Sequence, residues 1–483
     1  MCDIIRVPKI RMPTALTQFQ IDGLHGRNRT IKIPIRDNRL VLVGENGTGK
    51  STVANLLYYV LTQQWRRVSE YRFGTIEVHS SDDVVRVSHE DIEALTASRS
   101  GPLDAEIRHR YPPSLVREVA KMMAEEPLFR EFDEDIFIER VSMITRAPRS
   151  VARRLLMEIS ASQGPKLKKQ LAEEVKRLES WKLGQFLYLP TYRRIEQDLT
   201  WIFRGIEIEE KMREFRERFR KREHSSFIEL IEFGMEDVDR TIQSRMAQIK
   251  ERVRTGLSTL TGTYLREVIR GLQDNPDLSV LRSIELSAFQ SMFARIDEAI
   301  LPSSDKRLLQ AKIAEIAAAA DYTIKAEDRV IAHFLSKLVV LYKEQQEHES
   351  DVRDFVQLCN VYLTGKEFVY DDIKYEIFVR ETDTESGEKE KSKRLELRLL
   401  SSGEKQIVSL FSHIYLSGQS EFFVVIDEPE LSLSVPWQQR FLPDIIKTGR
   451  CTGLVAVTHS PFIWENEFEG YVGALAEFIH PGA

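Results

Sequence analysis

The sequence has 483 residues, of which 42% are apolar and 30% are charged, so it can bury a large core and has the length of roughly two to four domains. The formal net charge of −6 excludes a uniformly basic nucleic-acid-binding protein, and any DNA surface must therefore be local. Three widely spaced cysteines argue against a disulfide framework or a zinc site, and the lack of a signal-peptide pattern or a long apolar run predicts a cytoplasmic protein without a membrane segment.

The N-terminal region has the pattern of an α/β domain. The run at 40–43 is continuously apolar, which is typical of a buried parallel strand, and a helix is predicted from residue 52 to about 65. We expect residues 1–90 to form one lobe of the domain. Its predicted strands cover 16–21, 30–35, 40–43, 74–79 and 84–88.

A phosphate-binding loop follows the buried strand. Gly44, Gly49, Lys50 and Ser51 have the spacing GxxxxGKS, immediately before a helix. The glycines let backbone N–H groups surround a phosphate, Lys50 supplies positive charge, and the Ser51 hydroxyl can bind Mg²⁺. The sequence therefore predicts that ATP contacts Asn46, Gly47, Thr48, Gly49, Lys50, Ser51 and Thr52.

The middle of the chain, 91–364, is predicted to be a mostly helical insertion. One strand, within 185–190, is expected to return to the α/β domain, and a strongly charged stretch at about 204–272 predicts an antiparallel helical arm. The apolar side of that arm would carry Phe215, Phe219, Phe227 and Ile231. Further helices are predicted at 114–125, 150–159, 166–178, 283–300, 305–320 and 325–363.

The remaining residues, 365–483, are predicted to form the C-terminal lobe. Period-two strands come first, and helices then alternate with apolar strands, which indicates parallel β-strands. The predicted strands cover 368–370, 375–379, 395–399, 422–426 and 454–458, and the predicted helices cover 405–416 and 437–447.

Three motifs in this lobe can carry chemistry. Ser401 and Gly403 belong to a small-residue turn that opens a helix and can face an anion with its amide groups. Asp427 and Glu428 end an apolar strand, where the first can hold magnesium through water and the second can activate the attacking water. His459 follows the next strand.

This order of motifs resembles that of the ABC-type ATPases, a superfamily that includes transporter, SMC, RecF and OLD-like proteins. The resemblance implies an ATPase head with a helical insertion and a head-to-tail dimer, in which Ser401 and Gly403 of one copy reach the γ-phosphate on Lys50 of the other. His459 resembles the switch histidine that senses this phosphate. Gln197 occupies the place of a metal-sensing glutamine, with Arg193 and Arg194 as candidate phosphate contacts. An ordinary surface network of arginine and glutamate side chains is the alternative for these residues.

Two departures from the superfamily pattern narrow the resemblance. Ser402 replaces a usual glycine and Glu404 a usual glutamine, as in OLD-like and related AAA-type defence ATPases. The turn at residues 399–406 is called the signature turn below. Together with the stretches 188–196 and 232–237, it resembles the corresponding parts of the ATPase subunits of PARIS anti-phage systems. That resemblance implies an oligomeric scaffold that holds a TOPRIM-type nuclease until a phage trigger protein is sensed. We expect this nuclease to be a separate protein, because the sequence ends soon after Ser460.

Two other interpretations stay open at this point. A DNA-repair ATPase that resembles RecF or Rad50 would act directly on DNA, through basic residues interleaved with acidic ones in the arm and through the cluster of Arg146, Arg149, Arg153 and Arg154. A purely structural protein that binds ATP without turning it over is less compatible with the presence of Glu428 and His459.

Overall fold

The computed structural model describes residues 14–93, 148–154, 165–190, 227–229, 235–271, 278–282, 286–296, 298–299, 301–318, 326–382 and 394–482, with the single residues 111, 115, 138 and 142. The chain divides into two compact units. The strand-rich unit comprises Met1–Ile231 and Ser420–Ala483, and the helical unit comprises Glu232–Gln419.

The strand-rich unit contains a five-stranded antiparallel sheet. Its order is β14–β2–β1–β4–β5, so the last strand of the chain pairs with one of the first. Buried residues alternate with partly exposed ones along these strands, which leaves one face of the sheet for the core. The strands are β1 (Leu16–Asp22), β2 (Arg29–Pro34), β4 (Thr75–Ser80), β5 (Val84–Ser88) and β14 (Ile479–Pro481).

A six-stranded parallel sheet forms the other half of this unit, in the order β13–β3–β12–β11–β6–β7. Its central strands β11 and β12 are mostly apolar and are buried along almost their whole length, as expected for a sheet covered on both faces. The strands are β3 (Arg39–Val43), β6 (Gln185–Leu189), β7 (Phe227–Glu229), β11 (Phe422–Asp427), β12 (Cys451–Val457) and β13 (Val472–Ala474).

Helix α1 (Lys50–Leu61) packs against residues of both sheets. Its Tyr58 lies in one buried cluster with Phe19 of the five-stranded sheet and Val425 of the six-stranded sheet. A short helix follows, and a longer one precedes β6. These are α2 (Trp65–Ser69) and α3 (Pro165–Ser180), and α10 (Val435–Lys447) connects β11 to β12.

The register of the parallel sheet brings three strand ends to one edge. Leu42 of β3 pairs with Val457 of β12, and Val457 pairs with Asp427 of β11. Since the strands are parallel, their carboxyl ends share an edge, and the segments that follow them meet there. This edge holds the phosphate-binding loop, the Asp427–Glu428 pair and the segment around His459.

In the helical unit, two long helices form an antiparallel pair. They are α4 (Glu236–Ile269) and α8 (Ala326–Tyr362), of 34 and 37 residues. Near one end the Tyr264 hydroxyl donates to the Val330 carbonyl oxygen at 3.3 Å, and farther along Arg245 donates to the His348 carbonyl oxygen at 3.1 Å.

Shorter helices and a small sheet complete the helical unit. Phe289, Phe293 and Leu335 belong to its buried cluster, which involves α5 (Leu278–Arg282), α6 (Leu286–Ala294) and α7 (Ser303–Ala318). Helix α9 (Ser402–Leu416) contacts both α4 and α8. The antiparallel strands are β8 (Lys366–Asp371), β9 (Glu376–Glu381) and β10 (Arg394–Leu395).

The mixed α/β fold confirms the predicted fold class, but several elements differ from their predictions. Phe227, expected on the apolar side of a helical arm, lies in strand β7. Its backbone pairs there with strand β6 in a parallel arrangement. The strand expected over 395–399 ends at Leu395 and is followed by a 3-10 turn, Leu397–Leu399. Strands β13 and β14 have three residues each, too short for a periodic signal.

Some predictions fall on residues outside the described ranges. They include Gln197, Arg193, Arg194, Arg146, the arm before Phe227 and most of the helix at 114–125. The predicted domain boundaries stay predictions. By its contacts, the segment 365–419 groups with the helices and not with the C-terminal strands, because β8 and α9 contact α8.

Within the described ranges, no helix combines the length and apolar character needed to cross a membrane.

Candidate functional site

The loop between β3 and α1 has a backbone that depends on glycine. Gly47 and Gly49 have φ angles of 76° and 99°, in the left-handed region that other residues rarely adopt. The Thr48 hydroxyl donates to the Glu45 carbonyl oxygen at 2.8 Å and braces the turn. Among the described residues, no backbone carbonyl accepts a hydrogen bond from an amide of 45–52, so these donors can serve an anion at the start of α1.

Lys50 lies beneath this loop and is only 4% exposed. Its Nζ donates to the carbonyl oxygens of Gly44 and Glu45, at 2.8 Å each. Burial lowers the pKa of Lys50, against the opposing attraction of the carboxylates of Asp427, Glu428 and Glu430. A phosphate in the loop would supply negative charge to this buried ammonium group, which forms no direct ion pair with any of the described residues.

Ser51 and Asp427 bring two oxygen ligands together. The Ser51 hydroxyl donates to Asp427 Oδ1 at 3.0 Å, and Asp427 is 4% exposed at the end of β11. Mg²⁺ prefers oxygen ligands and usually keeps water and phosphate oxygens in its shell. Ser51 and Asp427 therefore offer two oxygen ligands to an ion that takes its remaining ligands from water and phosphate.

Glu428 has an unusual backbone. Its φ of 51° is left-handed for a residue with a side chain, and its amide donates to the Val457 carbonyl oxygen at 2.8 Å. Such conformations cost energy and concentrate at functional sites. The hydrogen bond fixes Glu428 at the sheet edge, where its charge acts on Lys50.

The segment after β12 is held by Glu430, a residue that the sequence analysis missed. Glu430 Oε1 accepts a bond from the backbone N–H of His459 at 2.8 Å, and Oε2 accepts one from the buried Thr458 hydroxyl at 2.7 Å. The Ser460 amide donates to Thr458 Oγ1 at 3.0 Å. The only sequence signal was the position of Glu430 in the acidic run that begins at Asp427.

Strand β6 contributes a polar side chain near α1. The Tyr188 hydroxyl donates a short hydrogen bond to Asn55 Oδ1, and the Tyr188 ring stacks on Tyr58 at a centroid distance of 4.4 Å. Gln197, which follows β6 in the sequence, lies outside the described residues.

The signature turn begins α9 in the helical unit. Ser401 is the N-cap, and its hydroxyl accepts a long, 3.4 Å bond from the Glu404 amide. Glu404 Oε2 accepts a 2.6 Å bond from the Ser401 amide, which completes a capping box. Ser401 is exposed and Gly403 is buried. Both belong to a different unit from the phosphate-binding loop.

Solved structures with a likeness to the chain include two archaeal Smc head domains. One, from Pyrococcus furiosus with an extended coiled coil and bound to the C-terminal domain of ScpA, is 13% identical, with a TM-score of 0.32 over 94% of this chain and 91% of that chain. Another, from Pyrococcus yayanosii with a coiled coil and joint, is 16% identical, with a TM-score of 0.29 over 94% and 93%. Likeness at this level carries no argument about fold or partners.

No curated protein matches the chain. A family model described as an AAA ATPase domain does match, over residues 19–464, which include the phosphate-binding loop, the signature turn and the Asp427–Glu428 pair. The chain belongs to this family of AAA ATPase domains.

Proposed function

We propose that the protein binds and hydrolyses ATP at the edge of the parallel sheet. The observation that carries this proposal is the 3.0 Å contact between Ser51 and Asp427, which joins the phosphate-binding loop to the acidic strand end across the sheet. Residues 46–52 surround the phosphates, and Lys50 provides charge to them.

Each polar group at this edge has a distinct part in the proposed reaction. Ser51 and Asp427 would hold Mg²⁺, which when bound neutralises charge on the phosphates. Glu428 accepts a proton from the attacking water, and its fixed backbone keeps it beside the Lys50 end of the site. His459 senses the γ-phosphate from a segment anchored by Glu430.

The site is completed, in this proposal, by the signature turn of a second copy. The resemblance to ABC-type ATPases supports a head-to-tail dimer, and the capped turn with an exposed Ser401 is suited to contact a phosphate. ATP would then hold two copies together and hydrolysis would release them. Higher oligomers could be built on this dimer.

At the level of the cell, we propose that the ATPase is a sensor and scaffold of anti-phage defence. It would hold a separate TOPRIM-type nuclease until a phage trigger protein is sensed. This step depends on the sequence resemblance to PARIS-type subunits alone. Copurification with the products of neighbouring genes, followed by mass determination of the complex, tests it, and recovery of the ATPase without any effector would count against it.

The substitution Glu428→Gln tests the enzymatic role. The amide keeps the size of the side chain but cannot accept the proton, so we expect ATP binding and ATP-dependent association to persist while hydrolysis falls by about 100-fold or more. Nucleotide binding, sedimentation and phosphate release measure the three properties. Loss of nucleotide binding in this variant would contradict the role given to Glu428.

A DNA-repair ATPase that resembles RecF or Rad50 and acts directly on DNA is the alternative. Arg149, Arg153 and Arg154 are exposed, which favours a local basic surface. DNA binding that weakens steeply with salt and stimulates the ATPase would support this alternative. An ATPase rate that is indifferent to DNA would favour the scaffold.

A further inference from the structure

Glu404 is a buried carboxylate in the first turn of α9. It is 6% exposed, and besides accepting a bond from the Ser401 amide it forms an ion pair in which both carboxylate oxygens contact one ammonium group. Lys366 Nζ, on strand β8, lies 2.9 Å from Oε2 and 3.2 Å from Oε1. One oxygen therefore caps the helix and faces the ammonium group at the same time.

The charge of Glu404 conflicts with the role proposed for its turn. A carboxylate near a helix N-terminus is favourable for the helix, but it repels a phosphate that approaches the same amide groups. A glutamine, which the superfamily usually has here, can complete the same capping box without charge. This chain has Glu404 at that position, and the ammonium group of Lys366 contacts its carboxylate.

We propose that Lys366 is a positioning residue for the ATPase reaction, which neutralises Glu404 and keeps it folded onto Ser401 so that the signature turn can receive the γ-phosphate of a second copy. This inference rests on the proposed function of the turn. Lys366 acts through Glu404 and does not itself contact the nucleotide.

A structural salt bridge alone would have different consequences. Breaking a purely structural salt bridge would lower the melting temperature. It would change ATP-dependent association and the KM for ATP only to the extent that the protein unfolds. The compensation proposed here is specific to the carboxylate, so the effect of losing Lys366 must depend on whether residue 404 is charged.

The test compares Lys366→Met in two backgrounds, the natural chain and Glu404→Gln. In the natural chain we expect Lys366→Met to raise the ATP concentration for half-maximal association, and the KM for ATP, by about tenfold. In the Glu404→Gln background the same change should alter both by less than about twofold. Arg398→Met is the matched control, because it removes a nearby cation paired with Glu396 and not with Glu404.

Two results would overturn the inference. An equal loss from Lys366→Met in both backgrounds would show that Lys366 does not act through the charge of Glu404. A fall in melting temperature that accounts for the whole change in KM would assign the pair to stability. The substitution Lys50→Ala distinguishes failure of this inference from failure of the proposed function. ATP hydrolysis that survives Lys50→Ala would contradict the proposed function itself.

Discussion

At the scale of single residues, Glu430 anchors the segment around His459, because both of its carboxylate oxygens accept hydrogen bonds from that segment. The loop from Gly44 to Ser51 and the pair Asp427–Glu428 could be proposed from the sequence as candidates, because the roles proposed for them require particular residue types at fixed spacing. Glu430 could not, because a carboxylate that anchors a neighbouring segment has no spacing of its own. Only the fold shows that both of its oxygens accept bonds from the segment around His459.

The substitution Glu430→Gln tests this anchoring role. An amide can accept from only one of the two donors and presents an N–H group to the other, so the segment should lose its fixed position. We expect kcat to fall by about tenfold, with a smaller change in KM for ATP, in steady-state ATPase assays. Glu477→Gln, at an exposed position in the same unit, is the control. A rate equal to that of this control would contradict the role of Glu430.

At the scale of elements, prediction succeeded where a strand or helix shows its own pattern. Continuous apolar runs located β3, β11 and β12, and long periodic stretches located α4 and α8. Prediction failed where the structure of a segment depends on pairing with a strand that is distant in the sequence. Phe227 lies in a strand because β7 pairs with the edge of β6 that β11 does not occupy. Strands β13 and β14 are too short to show a period in the sequence.

The packing of the central parallel strands gives an element-scale prediction. Gly453 of β12 pairs with Phe423 of β11, and a Cβ added at Gly453 would lie 2.2 Å from the Phe423 ring. We expect Gly453→Ala to destabilise the protein by about 1–3 kcal/mol, measured by urea denaturation, because the buried ring must move. Gly470→Ala, where the added atom meets nothing within 4 Å, is the control. Equal stability of the two variants would contradict the packing described.

At the scale of the whole molecule, the sequence places the parts of the proposed ATP site far apart in the chain. The fold brings Ser51, Asp427 and the segment around His459 to one sheet edge in the strand-rich unit, and it caps the signature turn in the helical unit. The proposal that this turn contacts the nucleotide of another copy depends on the resemblance to the ABC-type ATPases.

A mixing experiment tests this central claim most directly. Lys50→Ala removes the phosphate contact in one copy, and Ser401→Arg blocks the signature turn in another, so each variant alone should be nearly inactive. In a head-to-tail dimer, a mixed pair has one intact site. We predict that mixing raises the ATPase rate well above the sum of the two variants, toward about a quarter of the natural rate for random pairing. Formation of mixed dimers without any gain in ATP hydrolysis would contradict the claim.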